Sequence, residues 1–322
     1  MPLNRIETLT VERRSATRDR LRRLVNRLRR FAGFRPAPGA VVFHAQACGL
    51  SNRLRALVGY QALASLRKVP FYLCWDSDAA CPCRFEDLFE SRLRLLDASE
   101  LEQLGDSTVF RDAIWFGQIW NQRAETFLWQ EYLQEVHRCL RALIPRRELR
   151  EPVKEFAARH DLGKALGVHI RNTDNLRYYG QWATNSATTS FDSKKISSLD
   201  GFIEVIRTAI TTSPVLLVTD DAALEEQLKM LFPSLISFPK LYTPTGSRTT
   251  SIEVALSEML LLGQCQQIGI DGIGRRAAIA AAIDPQERLV TCNDRWSDDR
   301  DVVLPCRLID LGRCEPGLAG HV

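Results

Sequence analysis

Short apolar runs alternate with longer amphipathic stretches along most of the chain, which is typical of an α/β protein. In the first half, strand patterns at 41–43 and 71–75 enclose a helical pattern at 53–67, which predicts a β-α-β unit. The second half predicts strands at 165–170, 215–219, 234–238, 266–270 and 288–291 and helices at 200–212, 221–231, 250–263 and 275–283. This alternation predicts a doubly wound sheet with right-handed crossovers.

The stretch between these halves is less regular. Residues 80–125 show no clear period, so no elements are predicted there, whereas 128–143 and 152–160 have the spacing of amphipathic helices. We expect the domain boundary near 145–163. The predicted parts are an N-terminal arm at 1–35 and two Rossmann-like domains facing a cleft, at 36–150 and 151–322.

Composition excludes several classes of protein. Of the 322 residues, 45% are hydrophobic and 25% are charged, which excludes a mainly disordered, collagen-like or coiled-coil chain. No run approaches the ~20 apolar residues of a membrane span, and the N-terminus lacks the apolar core of a signal peptide. The nine cysteines are scattered, so we expect reduced thiols in a cytoplasm.

Charge is concentrated in the arm. Residues 1–35 contain 11 Arg and three acidic residues, a net +8, whereas the whole chain carries +4 and the body therefore −4. Nothing in the slightly acidic body indicates a nucleic-acid surface. Four apolar residues of the arm recur at helical spacing: Leu21, Leu24, Leu28 and Phe31. Such a basic amphipathic helix either lies on an anionic membrane or docks by its apolar face onto the body.

A polar segment follows the first predicted strand of the second half, where ligands bind in doubly wound sheets. It is residues 169–174 (HIRNTD). Arg171 can direct two N–H donors at a pyrophosphate, and Asp174 can orient this Arg or accept from a sugar hydroxyl. A purely structural salt bridge between Arg171 and Asp174 is the alternative.

Residues 169–174 resemble the H-[IV]-R-R-T-D motif of the fucosyltransferase superfamily, which includes core α1,6-, nodulation and protein O-fucosyltransferases. Three further segments agree in order and spacing. Residues 49–54 (GLSNRL) resemble the N-terminal G-[LF]-[GS]-N-[QR]-L loop, 217–221 (LVTDD) the "ATDD" strand end, and 255–262 (ALSEMLLL) the acid-bearing helix before the last loop. The resemblance spans about residues 41–285.

The resemblance implies a GT-B fold, GDP-fucose as the donor with no other cofactor, inversion at the anomeric carbon and no metal. It implies that Arg171 stabilises the departing diphosphate, with His169 and Asp174 in the same pocket. Asp220, Asp221 and Glu258 would contact guanine and ribose, and Asn52 and Arg53 would face the donor from the other domain.

Structural alternatives stay open for these residues. Asp220 could instead cap the helix at 221–231, and Asn52 could cap the helix that starts near Arg53. Glu258 lies in an otherwise apolar helix, where a carboxylate without a partner is costly.

The sequence also departs from the family pattern. Asn172 stands where the motif has its second Arg, and no acid follows Asp174 closely, so the acceptor base is unassigned. The expected serine-rich loop is glycine-rich at 269–274, although N–H groups near Gly272 can still bind phosphate at the start of helix 275–283.

Two patterns associated with metals are not expected to form metal sites. Residues 76–78 (DSD) fit the D-x-D pattern of Mn²⁺-dependent glycosyltransferases, but they more simply provide turn residues. The cysteines of 81–83 (CPC) do not have zinc spacing.

The sequence therefore predicts an inverting GDP-sugar glycosyltransferase, most simply a fucosyltransferase acting on a carbohydrate acceptor. Its expected setting is a bacterial-type cytoplasm, with the arm at the inner membrane as one option. The alternative is a non-catalytic protein of the same fold that binds a GDP-sugar or a glycan.

Overall fold

The fold contains two separate parallel sheets, which confirms the α/β class. The computed structural model describes residues 39–90, 93–102, 109–113, 116–124, 126–170, 199–242, 250–270 and 307–310. Several predicted features lie outside these residues: the arm at 1–35, Arg171, Asp174, Gly272, the helix at 275–283 and the strand at 288–291.

The first sheet has four strands in the order β4-β2-β1-β5. These are β1 (Val41–Ala45), β2 (Phe71–Trp75), β4 (Arg94–Leu96) and β5 (Val109–Phe110). The predicted β-α-β unit is present, with β1 parallel to β2 and helix α1 (Leu50–Leu66) between them. Helix α1 begins three residues before its predicted start because the polar motif at 51–53 belongs to the first turn.

The second sheet has five strands in the order β11-β10-β7-β8-β9. They are β7 (Leu166–Ile170), β8 (Val215–Thr219), β9 (Ile236–Ser237), β10 (Gln267–Ile270) and β11 (Arg307–Asp310), and the connecting helices are α7 (Leu199–Ala209), α8 (Ala222–Leu231) and α9 (Ile252–Gln264). All neighbouring strands run parallel. Of the five strands described in this sheet, four correspond to predicted strands and β11 is an addition.

The unassigned stretch at 80–125 folds into short pieces. They are α2 (Phe85–Leu88), β3 (Phe89–Glu90), α3 (Ala98–Glu102), α4 (Phe116–Ile119) and a π-helical turn (Trp120–Ala124), besides β4 and β5. Helix α5 (Trp129–Arg141) follows, and strand β6 (Ile144–Pro145) pairs antiparallel with β3. None of these pieces before α5 is long enough to show a period in the sequence.

One hydrophobic core joins residues of both halves. It contains Phe43 and Leu57 of the first half together with Leu216 and Leu256 of the second. Helix α6 (Arg147–Arg159) runs across the predicted domain boundary and packs against α9. Among the helices that the structure describes, none combines the length and apolar character needed to cross a membrane.

Gly167 allows α9 to approach β7 closely. A Cβ atom at this position would lie 2.8 Å from Leu262 Cδ2 and 3.0 Å from Cys265 Sγ, closer than carbon and sulfur atoms pack. The glycine of the motif strand therefore brings the helix that carries Glu258 against the strand that carries His169.

Candidate functional site

The candidate site lies at the carboxyl edge of the second sheet. Strands β7 and β8 are parallel neighbours, and His169 is paired in register with Val218. His169 is half-buried. The chain then continues from Ile170 into 171–198, outside the described residues, so the roles of Arg171 and Asp174 stay predictions.

A buried ion pair lies behind this edge. Glu258 of α9 accepts a hydrogen bond from Lys240 Nζ, and Lys240 also donates to the backbone oxygen of Thr219, the last residue of β8, at 2.9 Å. Glu258 is 6% exposed. The partner that a buried carboxylate requires is therefore Lys240, which follows β9 in the sequence.

A second carboxylate, Glu225 of α8, shares this lysine. Glu225 Oε2 lies 3.2 Å from Lys240 Nζ, and Glu225 also accepts from Tyr242 Oη. Its Oε1 accepts from Lys229 Nζ and Ser237 Oγ, each at 2.7 Å. Two carboxylates, two lysines, a serine and a tyrosine therefore form one network beneath the ends of β8 and β9.

The two carboxylates have opposite pKa shifts. Burial raises the pKa of Glu258 to about 7, although the Lys240 cation acts to lower it. Burial acts to raise the pKa of Glu225 as well, but hydrogen bonds from Lys229, Tyr242 and Ser237 outweigh it and lower this pKa to about 2. Glu225 is thus ionised at neutral pH, whereas Glu258 exchanges its proton near neutrality.

The two acids after β8 have different roles. Asp221 is the N-cap of α8, and its carboxylate accepts from the backbone N–H groups of Ala223 at 2.9 Å and Leu224 at 3.1 Å. The suggestion that Asp220 caps this helix is therefore wrong. Asp220 is half-buried at the sheet edge, and its charge acts to raise the pKa of Glu258. Of the two, Asp220 is better placed to meet a ligand.

Asn52 does not cap a helix. Helix α1 begins at Leu50 with Gly49 as its N-cap, which places Asn52 within the first turn. Its side chain is exposed and accepts a hydrogen bond from Arg55. The capping alternative for Asn52 is wrong because the helix starts earlier than the sequence indicates, and ligand contact stays a prediction.

Arg53 stabilises the motif loop, which is the segment 46–49 between β1 and α1. It is completely buried, and its guanidinium donates to the backbone oxygens of Cys48 at 2.7 Å and Ala45 at 3.1 Å, and to that of Asp76. It also donates to Asp78 Oδ2 at 2.6 Å. These contacts join the ends of β1 and β2, so in this structure Arg53 positions the loop instead of facing a donor.

The D-x-D segment forms a turn, as expected. Asp78 accepts from the backbone N–H groups of Ala47 at 2.7 Å, Ala80 at 2.9 Å and Cys81 at 3.0 Å, in addition to Arg53. Its carboxylate is therefore occupied by protein donors. Asp76 points elsewhere and contacts His44.

The first-half motif meets the acid-bearing helix of the second half. Ser51 Oγ lies 3.8 Å from Met259 Sδ and donates a hydrogen bond to it. Ser51 precedes Asn52 and Met259 follows Glu258, so the fold brings together two segments that the sequence places 208 residues apart.

The sequence interpretation missed Lys240, Tyr242 and Glu225. A signal was available for two of them. Residues 239–242 follow the strand predicted at 234–238, and the rule that selected Asp220 at the end of β8 also places Lys240 and Tyr242 at the same sheet edge.

No protein-family model and no curated protein matches the sequence. Among solved structures, the chain is similar to NodZ α-1,6-fucosyltransferase co-crystallised with GDP, with 17% identity and a TM-score of 0.48 over 76% of this chain and 92% of that one. It is also similar to fucosyltransferase NodZ from Bradyrhizobium in its Se-Met form, with 18% identity and a TM-score of 0.49 over 76% and 92% of the two chains. It is similar to POFUT1 in complex with GDP as well, with 13% identity and a TM-score of 0.48 over 77% of this chain and 95% of that one. The α/β fold class of this chain rests on its two parallel sheets.

Proposed function

We propose that this protein is an inverting, metal-independent glycosyltransferase that transfers fucose from GDP-fucose to a carbohydrate acceptor. The observation that supports this best is the placement of the motif residues. His169 is the last residue but one of β7 and Asp220 follows β8, so two motif segments lie on neighbouring strands at one carboxyl edge, the usual ligand edge of such sheets. Ser51 and Met259 bring two further motif segments into contact.

The nucleotide would bind across this edge. Asp220 is half-buried and offers carboxylate oxygens, which suit the N1–H and N2–H₂ donors of guanine or the ribose hydroxyls. Glu258 and Lys240 lie behind it and fix the end of β8 through Thr219. In this proposal Glu258 supports the nucleotide pocket through Lys240 instead of touching the base from an open surface.

Arg171 would carry the chemistry. It is the next residue in the sequence after Ile170, the last residue of β7. In this proposal its planar cation therefore meets the ligand at the same sheet edge. Arginine and backbone N–H donors near Gly272 would stabilise the departing diphosphate where other transferases use a metal ion. His169 and Asp174 would complete the phosphate side of the pocket.

Thermal unfolding with nucleotides tests the donor. We expect GDP and GDP-fucose to raise the unfolding temperature and UDP to leave it unchanged. Equal stabilisation by UDP and GDP would overturn guanine selectivity. Hydrolysis or transfer of fucose from GDP-fucose then tests the reaction itself.

Asn172 favours a second candidate, a non-catalytic protein that binds a GDP-sugar. One positive charge fewer at the phosphates reduces the stabilisation of the leaving group more than it reduces binding of the nucleotide. Stabilisation by GDP-fucose without any hydrolysis or transfer, over a panel of glycan acceptors, would support this candidate against the enzyme.

We also propose that the arm contacts anionic membrane from the cytoplasmic side. Its net charge of +8 and its apolar stripe suit an interfacial helix, and the net −4 of the remaining chain does not suit nucleic acid.

A further inference from the structure

Three potential metal ligands converge at the carboxyl edge of the first sheet. His44 of β1 is paired in register with Cys74 of β2, and Asp76 follows two residues later on the same face. One nitrogen of His44, the sulfur of Cys74 and a carboxylate oxygen of Asp76 all lie within 4.8 Å of one another. They belong to no part of the donor site proposed above.

His44 and Asp76 already form a close pair. The Nε2 atom of His44 lies 2.8 Å from Asp76 Oδ2, and its Nδ1 is buried without a hydrogen-bond partner among the described residues. The residue is 9% exposed. A divalent ion bound between Nε2 and Oδ2 would replace the hydrogen that these two atoms share, so that both become ligands, while Nδ1 lies on the far side of the ring.

The surroundings favour a cation. The carboxylates of Asp97 and Glu100 act electrostatically on Cys74 together with Asp76, and Arg111 acts in the opposite direction. Glu100 is itself buried. Arg53, which bonds the backbone oxygen of Asp76, is a second cation beside the cluster, so three acids face two arginines and a divalent ion would compensate the remaining negative charge.

We propose that His44, Cys74 and Asp76 bind a zinc-class divalent cation. Imidazole, thiolate and carboxylate are the ligand types that zinc takes, whereas a thiolate disfavours Mg²⁺ and Ca²⁺. Zinc bonds of about 2.0–2.3 Å at tetrahedral angles place ligand atoms roughly 3.3–3.6 Å apart, so small side-chain rotations bring the three groups to these spacings. Binding releases the Cys74 thiol proton to solvent.

The role of this ion is to hold the motif loop. It would link the ends of β1 and β2, where Arg53 already bonds the backbone oxygens of Ala45 and Asp76. The Asp76 side chain is 41% exposed and provides an entry path for the ion. Cys74, in contrast, is 2% exposed, which excludes it as a nucleophile toward a substrate.

Co²⁺ is a spectroscopic probe for this site. We expect the full-length protein, stripped of metal, to bind one equivalent of Co²⁺ with the thiolate-to-metal charge-transfer band and intense visible bands of a tetrahedral ion, all abolished by Zn²⁺. Cys74→Ser should lose the charge-transfer band. Cys139→Ser is the matched control, since Cys139 in α5 is equally buried and lies elsewhere, and it should keep the band.

Two results would overturn the proposal. One is a wild-type protein without the charge-transfer band, and the other is a band that persists in Cys74→Ser, which would assign the metal to other thiols such as Cys81 and Cys83. Should Cys74→Ser fail to fold, Asp76→Asn decides, because the Asp76 side chain is partly exposed. We expect this variant to bind Co²⁺ at least about 10-fold more weakly, because even the loss of a residue that only supports a ligand costs about 10–100-fold, and unchanged affinity would contradict the site.

Discussion

The ammonium group of Lys240 is bonded to the carboxylate of Glu258, and only 1% and 8% of the two side-chain surfaces are exposed. The pair joins the segment after β9 to helix α9. Lys240 also bonds the last carbonyl of β8 at Thr219. One buried cation therefore fixes the edge at which the nucleotide is proposed to bind.

Lys240→Met should destabilise the protein strongly. At pH 8, above the pKa of about 7 of Glu258, it leaves this carboxylate buried without its cation, and breaking such a pair from one side costs about 3–5 kcal/mol. Urea unfolding measures this loss. Lys229→Met is the matched control, because Lys229 bonds Glu225 in the same network but is 42% exposed, so we expect a cost below about 1 kcal/mol. Equal costs for the two variants would show that Lys240 is not the central partner.

The opposite shifts of the two carboxylates predict a specific pH dependence. The pKa of Glu258 is raised from 4.5 to about 7 in the folded state, so its contribution to the free energy of unfolding is full below about pH 4.5 and is lost as the pH rises through 7. The pKa of Glu225 is lowered to about 2, so its contribution is present above about pH 4.5 and is lost as the pH falls toward 2.

Glu258→Gln isolates the first of these effects. The groups that act on Glu258, namely Lys240, Glu225 and Asp220, are retained in the variant. We expect the free energy of unfolding of the wild type, relative to the variant, to fall by on the order of 2–3 kcal/mol between pH 4.5 and 8. Parallel pH profiles of the two proteins in urea unfolding would contradict the raised pKa.

We expect Asp220 to bind the ligand and Asp221 to stabilise the fold. Asp221→Ala removes the cap of α8 and should cost about 1 kcal/mol in the free energy of unfolding. Asp220→Asn should weaken GDP binding by about tenfold, the effect of roughly 1.4 kcal/mol, whereas Asp221→Ala should leave GDP binding nearly unchanged. Calorimetry with GDP and urea unfolding of both variants check the separation. A loss of GDP affinity in Asp221→Ala alone would reverse the assignment.

The regular elements could be predicted because each carries its own signal. Strand β2 (Phe71–Trp75) was predicted with its observed bounds, since a five-residue apolar run between polar segments suffices to define it. Helix α1 was misplaced at its start because Gly49 caps it without a side-chain hydrogen bond. The pieces within 80–125 are too short for any period, so their form depends on the core around them.

Only those site residues that come directly after a strand could be predicted from the sequence. Asp220 was found from its position after β8, but the partner of Glu258 is non-local, 18 residues away on another element. The buried role of Arg53 had a weak signal, because Arg53 shares the apolar face of α1 with Leu50, Leu54 and Leu57, all buried. Sequence type alone favours an exposed arginine, and the four acceptors around it come from two separate segments, 45–48 and 76–78.

Deletion of residues 1–35 should reduce binding to anionic vesicles at low salt and leave GDP binding intact, because the arm supplies a net +8. Vesicle sedimentation at two salt concentrations measures the first effect and thermal unfolding with GDP the second. Neutral vesicles are the control. An unfolded truncated protein would show instead that the apolar stripe of the arm belongs to the core.

Arg171 is the residue on which the proposed reaction depends most. Fucosyl transfer builds positive charge on the sugar and negative charge on the departing diphosphate, so the cation that meets the diphosphate is decisive. Because Asn172 replaces the second Arg of the motif, Arg171 would provide most of the stabilisation of the departing diphosphate alone. Arg171→Ala should therefore lower turnover on the order of 10²–10³-fold, and Arg171→Lys nearly as much, since a point charge does not reproduce the planar fork.

Asn172→Arg tests the same site in the opposite direction. It restores the cation that the family motif has at this position, so the affinity for GDP-fucose should rise while that for guanosine, which lacks phosphates, stays unchanged. Titration of both ligands into the wild type and the variant makes this comparison. Normal turnover in Arg171→Ala, together with no gain in Asn172→Arg, would place the phosphates elsewhere. The backbone N–H groups at Gly272 and the following Arg275 and Arg276 would then be the next site to test, because they offer anion-binding donors without the motif arginine.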